Sequence, residues 1–209
     1  ATRPRLAATL DFGFAPMSSA IAGGFREALG VLEGAFGTVT RAHPDCQGGR
    51  ESFATMRGAN IHFNLLAIRD RLGDKMSPTV RWNIERGEAL SAHAFLAAEA
   101  ARWDIQRRFV EFFEQFDVLI SPTTSILPFR HEAGEVLNID GRKLESLTDY
   151  FCVTYIVSLA GCPALSIPYW PKGQTLPMGI QVIGPPGADY ALLDMAETLA
   201  RTLDDARGR

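Results

Sequence analysis

The chain has 209 residues, of which 46% are hydrophobic and 22% are charged, and its formal net charge is −3. This composition is typical of a globular protein, and the weak negative charge disfavours a nucleic-acid or acidic-membrane partner. The three cysteines lack CxxC spacing and the four histidines are scattered, so we expect a cytoplasmic protein with neither disulfides nor a metal site. No apolar run approaches the roughly 20 residues that a membrane helix needs, and the first residues lack the charged and apolar regions of a signal peptide, so we expect neither element.

The first 42 residues predict a strand, a helix and a second strand. Residues 5–14 are typical of a strand that runs into a loop rich in glycine and proline. Ser18 or Ser19 can cap the helix that follows, because apolar residues then recur at spacings of three and four. Gly37 ends this helix, and residues 38–42 predict a short strand.

Three helices are predicted in the middle of the chain, over residues 51–70, 79–87 and 91–115. Pro78 suits the first turn of the second of them. The third has the strongest periodicity, since six apolar residues share one face of it. They are Phe95, Ala98, Ile105, Phe109, Phe112 and Phe116.

The last third of the chain returns to strands. Residues 116–121 predict a buried strand that Pro122 ends, and the Asp140–Gly141 pair predicts a tight turn. A helix is predicted over residues 144–160, followed by antiparallel strands at 164–169 and 179–183. Asp189 can then cap a final amphipathic helix.

Strands that alternate with long helices indicate an α/β fold, with a mixed β-sheet flanked by helices. The sequence has no internal repeat, low-complexity tract or clear linker. We therefore expect residues 1–209 to form a single unit without an internal boundary.

Six short segments resemble segments of the C-terminal portion of the amidase-signature family, and they follow one another along this chain in the same order as in the family. The most informative are YIVSLAGCPALSIP at residues 155–168 and LPMGIQVIG at residues 176–184. The others are SPTVRWNI at 77–84, FDVLISPT at 116–123, IDGR at 139–142 and YALL at 190–193.

This resemblance implies an enzyme that breaks carboxamide C–N bonds through an acyl-enzyme, with a Ser nucleophile, a second Ser in a cis peptide bond and a Lys base. The family carries these residues around a Gly-Gly-Ser-Ser-Gly-Gly loop, and no such loop occurs in this sequence. The chain also lacks an initiator Met. We therefore expect a C-terminal portion that contains no catalytic residue, is inactive alone, and depends on an N-terminal half outside it.

By resemblance, the loop after the Pro122 strand and the helix before Gly161 lie near the bound acyl group. The resemblance thus implies seven residues as substrate-pocket walls: Thr123, Thr124, Thr154, Tyr155, Ser158, Leu159 and Cys162. The same residues are equally compatible with an ordinary buried helix that ends at a glycine. The loop over residues 125–136 is a candidate specificity element.

The expected partners are a small-molecule amide and either further copies of the chain or the N-terminal half, with no nucleic acid and no membrane. No cofactor is implied. Two alternatives remain: a non-catalytic, amidase-like scaffold, and a small-molecule binding fragment with an unrelated role.

Overall fold

The computed structural model describes residues 3–206 and 208. The strands are β1 (Leu6–Ala8), β2 (Thr40–Arg41), β3 (Val118–Pro122), β4 (Asn138–Ile139), β5 (Arg142–Lys143), β6 (Ala164–Tyr169) and β7 (Met178–Ile183). The helices are α1 (Ser19–Phe36), α2 (Gly49–Leu72), α3 (Pro78–Glu88), α4 (Ala92–Phe113), α5 (Cys152–Ala160) and α6 (Asp189–Ala206).

The chain divides into two compact units, of which the first contains Ala1–Cys46 and Arg107–Arg209 and the second contains Gln47–Gln106. Compactness alone does not define separate domains, so the single undivided domain stays a prediction. Within the described residues, no helix is both long enough and apolar enough to cross a membrane.

The first unit contains a five-stranded sheet in the order β2-β1-β3-β7-β6. Strand β1 is parallel to β2 and β3, whereas β7 is antiparallel to both β3 and β6. This mixed sheet with its helices confirms the predicted α/β class. The antiparallel neighbours β6 and β7 were also predicted correctly.

One face of the sheet carries the main hydrophobic core. Alternate strand residues, including Ile120 and Ile180, join the buried faces of α1 and α6 there. Because successive side chains in a strand point to opposite faces, Ser121 and Gln181 lie on the other face. Helix α5 packs on that second face, where Gln181 contacts the backbone of Val153.

The start of α1 shows how local chemistry sets an element. Ser18 is the N-cap, and its hydroxyl accepts a hydrogen bond from the backbone N–H of Ile21. Asp140, at the tip of the β4–β5 hairpin, accepts a hydrogen bond from the backbone N–H of Ser19 over 2.6 Å. The predicted helix and the predicted Asp-Gly turn are therefore confirmed, and the structure shows that the turn contacts the helix start.

The predicted continuous helix over residues 144–160 is wrong. A 3₁₀ helix (Leu147–Phe151) precedes α5, and Ser146 caps it in a capping box with Asp149. The Asp149 carboxylate accepts hydrogen bonds from the backbone N–H groups of Glu145 and Ser146. These bonds hold residues 144–146 outside the helix, although the apolar spacing in the sequence had predicted that the helix begins at residue 144.

The two strands predicted near the N-terminus are shorter than expected. Strand β1 ends at Ala8 because the next residues turn: Thr9 Oγ1 accepts a hydrogen bond from the N–H of Phe12, and the Asp11 carbonyl accepts one from Ala15. Strand β2 is reduced to two residues.

The second unit is helical. Helices α2 and α3 pack tightly at Gly58 and Gly87, where a Cβ on Gly87 would collide with the Gly58 carbonyl. Ser52 donates a hydrogen bond to the carbonyl of Ala98 over 2.8 Å. Phe95, which was predicted to share one face of α4 with Ala98 and Ile105, is 37% exposed, whereas those two residues are buried.

Candidate functional site

The end of β3 brings the first two of the predicted wall residues into place. Thr123 follows the strand directly and donates its backbone N–H to the carbonyl of Gly179 on β7 over 2.9 Å. Its hydroxyl lies 2.7 Å from that of Ser166 on β6. A Cβ at Gly179 would lie 2.5 Å from Ser166 Oγ and 2.6 Å from Thr123 Oγ1. The two hydroxyls can therefore pair only because residue 179 is a glycine and has no side chain.

Backbone hydrogen bonds on both sides hold the loop after Thr123. The hydroxyl of Thr124 donates to the Ile126 carbonyl over 2.8 Å. Ser125 donates its N–H to the carbonyl of Tyr150 and accepts a hydrogen bond from the N–H of Ser18. Its own hydroxyl is buried and has no partner among the groups that the structure describes. The loop is thus attached to the α1 start and to the 3₁₀ helix before α5.

A buried glutamine joins α5 to the same face of the sheet. Gln181 Nε2 donates to Ser121 Oγ at 2.9 Å and to the carbonyl of Val153 at 3.0 Å. Gln181 is only 5% exposed, so both bonds lie away from solvent. Because β3 precedes Thr123 and α5 contains Val153, this side chain fixes the two segments that carry most of the predicted wall.

The four predicted wall residues of α5 fall into two pairs. Thr154 is half-buried and Ser158 is exposed, and they lie about 40° apart around the helix. Tyr155 and Leu159 are buried, at 4% and 6% exposed. The Thr154 hydroxyl donates to the Phe151 carbonyl at 2.8 Å, and the Ser158 hydroxyl donates to the Thr154 carbonyl at 3.3 Å. Of these four residues, Thr154 and Ser158 are therefore the two that solvent or a ligand can reach.

Cys162 lies in the turn that ends α5. Gly161 adopts the left-handed conformation with φ 69° and closes the helix with a hydrogen bond to Ser158. The thiol of Cys162 is half-buried, and burial raises its pKa to about 12. A thiol with such a pKa is almost wholly protonated at neutral pH, so its chemistry is that of a small apolar group and not of a nucleophile.

The site contains two polar residues that the sequence reasoning missed, Ser166 and Gln181. Gln181 had a detectable signal, because it is the single polar side chain in the strand Met178–Ile183. Ser166 had none, since a serine in an edge strand is ordinary until its partner across the sheet is known.

The structure places no lysine in a setting that would suit a general base. Lys75, Lys143 and Lys172 are the three lysines of the sequence, and all three are exposed. A lysine acts as a base near neutral pH when burial or neighbouring cations lower its pKa. Among the described residues, no group of three His, Cys, Asp or Glu side chains could hold a metal ion.

Comparisons with known proteins agree with this architecture. The family model described as Amidase matches residues 51–193, which is more than half of the chain. A fatty acid amide hydrolase from Medicago truncatula is 29% identical over 149 residues, covering 68% of this chain and 23% of the relative. One subunit of the glutamyl-tRNA(Gln) amidotransferase from Desulforudis audaxviator is 40% identical over 120 residues, covering 55% of this chain and 22% of the relative.

Solved structures show the same fold. A crystal structure of an amidase superposes with a TM-score of 0.82 at 22% identity, covering 99% of this chain and 46% of that chain. A bacterial aryl acylamidase of the amidase-signature family superposes with a TM-score of 0.79 at 21% identity, covering 95% of this chain and 43% of that one. The chain spans less than half the length of each of these proteins. The matched sequence and the shared fold establish that the chain belongs to the amidase family.

Proposed function

We propose that this chain is the C-terminal part of an amidase that hydrolyses carboxamide C–N bonds, and that it supplies walls of the substrate pocket. The observation that carries the proposal is the double attachment of the Thr123 loop and of α5 to one face of the sheet. Ser125 bonds to Tyr150, and Gln181 bonds to both Ser121 and Val153. A pocket wall made from two segments needs such a fixed relationship.

The reaction proposed for the intact enzyme is acyl transfer to a serine followed by hydrolysis. The serine oxygen adds to the amide carbon while a lysine takes the hydroxyl proton, and the C–N bond then breaks as the nitrogen takes that proton. Water next adds to the acyl-enzyme, which releases a carboxylic acid and regenerates the serine. We place the two serines and the lysine outside this chain; the exposed positions of Lys75, Lys143 and Lys172 support that assignment.

The wall residues offer hydrogen bonds that suit an amide. The Thr154 hydrogen is used by the Phe151 carbonyl, so the Thr154 oxygen is free to accept a bond from a substrate N–H. In the Thr123–Ser166 pair one hydroxyl donates to the other, which leaves one O–H able to donate to a carbonyl oxygen. Both functions require the substrate to approach the second face of the sheet.

The proposed partners are a small-molecule amide and either an N-terminal amidase half or further copies of the chain, in the cytoplasm and without a cofactor. The alternative is an amidase-like scaffold or small-molecule binding fragment without catalysis. Either alternative would have the same fold but no role in bond breaking.

Complementation tests the proposal. This chain is purified alone and also together with an amidase N-terminal half that carries the Gly-Gly-Ser-Ser-Gly-Gly loop. Ammonia release from a panel of carboxamides is then measured for each sample. We expect no activity from either part alone, activity from the pair, and a raised KM when Thr154 is replaced by Val. Thr198→Val is the matched control, because Thr198 makes a similar intrahelical hydrogen bond on the exposed side of α6.

An inactive pair, shown to associate by size-exclusion chromatography, would support the scaffold alternative. Activity with an unchanged KM in Thr154→Val would remove Thr154 from the pocket wall.

A further inference from the structure

Four aromatic side chains form a continuous array beside the candidate wall. The ring centroids of Phe129 and Tyr150 are 6.5 Å apart, those of Tyr150 and Phe151 are 5.2 Å apart, and those of Phe151 and Tyr155 are 6.3 Å apart. The interplanar angles are 90°, 88° and 88°, so every contact is edge-to-face. We call these four residues the aromatic array.

The aromatic array leads from solvent to the interior of the candidate wall. Phe129 is 48% exposed, Tyr150 and Phe151 are half-buried, and Tyr155 is 4% exposed. A single exposed phenylalanine is ordinary on a protein surface. Here, however, the exposed ring is the outer end of a chain of contacts that reaches α5. Edge-to-face packing also leaves ring faces on the outer members that a further ring can meet.

Both halves of the candidate wall are attached to the array. The backbone carbonyl of Tyr150 accepts a hydrogen bond from the N–H of Ser125, which follows Thr123 and Thr124. The backbone carbonyl of Phe151 accepts a hydrogen bond from the hydroxyl of Thr154. The backbone of two ring-bearing residues is therefore hydrogen-bonded to both segments that carry the candidate amide-binding hydroxyls.

Charge distinguishes between the kinds of amide that fit. None of the wall residues and none of the array residues carries a formal charge at neutral pH. The nearest acid in sequence, Asp149, is 4% exposed and accepts backbone hydrogen bonds from Glu145 and Ser146. The charged side chains nearest to Phe129 in its loop, Arg130 and Glu132, are exposed and pair with each other at 3.4 Å. Glutamine would place an ammonium and a carboxylate against uncharged wall and array residues, which costs free energy because both charges lose water without gaining a partner there. An aromatic acyl group needs no such partners.

We propose that the aromatic array binds the acyl group of the substrate, and that the substrate class is an arylcarboxamide. This inference rests on the proposed function, because it specifies the substrate of that same site. Phe129 is then a specificity-determining residue, and the loop over residues 125–136 selects the substrate through it.

Equilibrium binding to the full chain tests the inference, with benzamide, acetamide and L-glutamine as probes followed by NMR titration. We expect benzamide to bind most tightly. Phe129→Ala should weaken benzamide binding about fivefold, as the loss of one aromatic contact predicts, and should leave acetamide binding unchanged. Phe129→Tyr keeps the ring and should restore the affinity. Phe63→Ala, which removes an 83% exposed phenylalanine on α2, is the matched control and should bind as the wild type does.

Unchanged benzamide affinity in Phe129→Ala would overturn the inference, and so would tighter binding of L-glutamine than of benzamide or a wild type that binds no benzamide. Circular dichroism of each variant checks that the fold is retained. The proposed function is judged separately by ammonia release. If the complemented enzyme prefers glutamine, the aromatic array does not bind the acyl group, but the proposal of amide hydrolysis still stands. If benzamide binding depends on Phe129 but no amide is hydrolysed, the acyl-binding role of the array stands and the proposed function is refuted.

Discussion

Gln181 on β7 donates a hydrogen bond to the carbonyl of Val153 on α5 over 3.0 Å, and the same nitrogen donates to Ser121 on β3 over 2.9 Å. One buried side chain thus connects two strands and a helix that are far apart in sequence. The relative position of the Thr123 loop and α5 depends on it.

Replacing Gln181 by Leu should lower the free energy of unfolding by about 2 kcal/mol, because two buried acceptors lose their donor while the apolar volume is retained. Urea denaturation measures the change. Gln174→Leu, at an exposed position in the β6–β7 connection, should change stability little. Equal stability of the two variants would mean that the Gln181 bonds contribute nothing net.

Gly87→Ala should destabilise the helical second unit by about 2 kcal/mol, because the new methyl group would overlap the Gly58 backbone and the helices would have to separate. Gly30→Ala is the control, since no atom lies within 4 Å of a Cβ built at this exposed position of α1. There the substitution should stabilise the protein by about 0.5–1 kcal/mol through helix propensity. Thermal denaturation of both variants would show opposite shifts, and shifts of the same sign would contradict the packing argument.

The Arg5–Asp117 ion pair should give a defined acid dependence. Hydrogen bonding from the Arg5 side chain holds the pKa of the Asp117 carboxyl below its ordinary value. Asp117 therefore stabilises the folded protein above the pKa of an unfolded aspartate, about 3.9, and this contribution is lost as the pH falls through the lower folded pKa.

The measurement compares the unfolding free energies of the wild type and Asp117→Asn between pH 2 and pH 7. Their difference should be constant above about pH 5 and should shrink on acidification below about pH 4. It should be small throughout, because both side chains are substantially exposed. A difference that grows on acidification would contradict the assignment.

The thiol of Cys162 should react slowly in the folded protein. Burial raises its pKa to about 12, and burial raises that of Cys46 to about 12 as well. At pH 8 we expect disulfide exchange with a chromogenic reagent to be at least about 100-fold slower than for a free thiol, because the thiolate is the reacting species. Urea should restore the full rate, and Cys162→Ser identifies the contribution of this residue. Fast reaction of folded Cys162 would contradict the assignment of this thiol as a small apolar group.

Much of the fold was predictable because its signals are local. The apolar spacing and the Ser18 cap predicted α1, and the Asp140–Gly141 pair predicted the β4–β5 hairpin. The strand Ala164–Tyr169 was predicted with its observed bounds. Where local hydrogen bonds competed with the apolar pattern, the prediction failed, as it did when the capping box of Ser146 and Asp149 began a 3₁₀ helix and shortened the helix predicted from residue 144.

The candidate site was less predictable, because its contacts join distant parts of the chain. The resemblance named Thr123 and Thr154, but their sequence gives no indication that Ser166 pairs with Thr123 or that Phe151 accepts the Thr154 hydrogen. It also grouped Tyr155 and Ser158 as wall residues, whereas the first is buried and the second is exposed. The seven wall residues remain a prediction.

The sequence by itself determined the α/β class, the start of α1 and the kinship with amidases, because periodicity, caps and motifs are encoded by neighbouring residues. Only the tertiary structure decided which hydroxyls pair across the sheet, which face α5 covers and how Phe129, Tyr150, Phe151 and Tyr155 meet. Those relationships depend on strand order and register, which bring together residues that are far apart in the chain; Ser121 and Gln181, for example, are 60 positions apart.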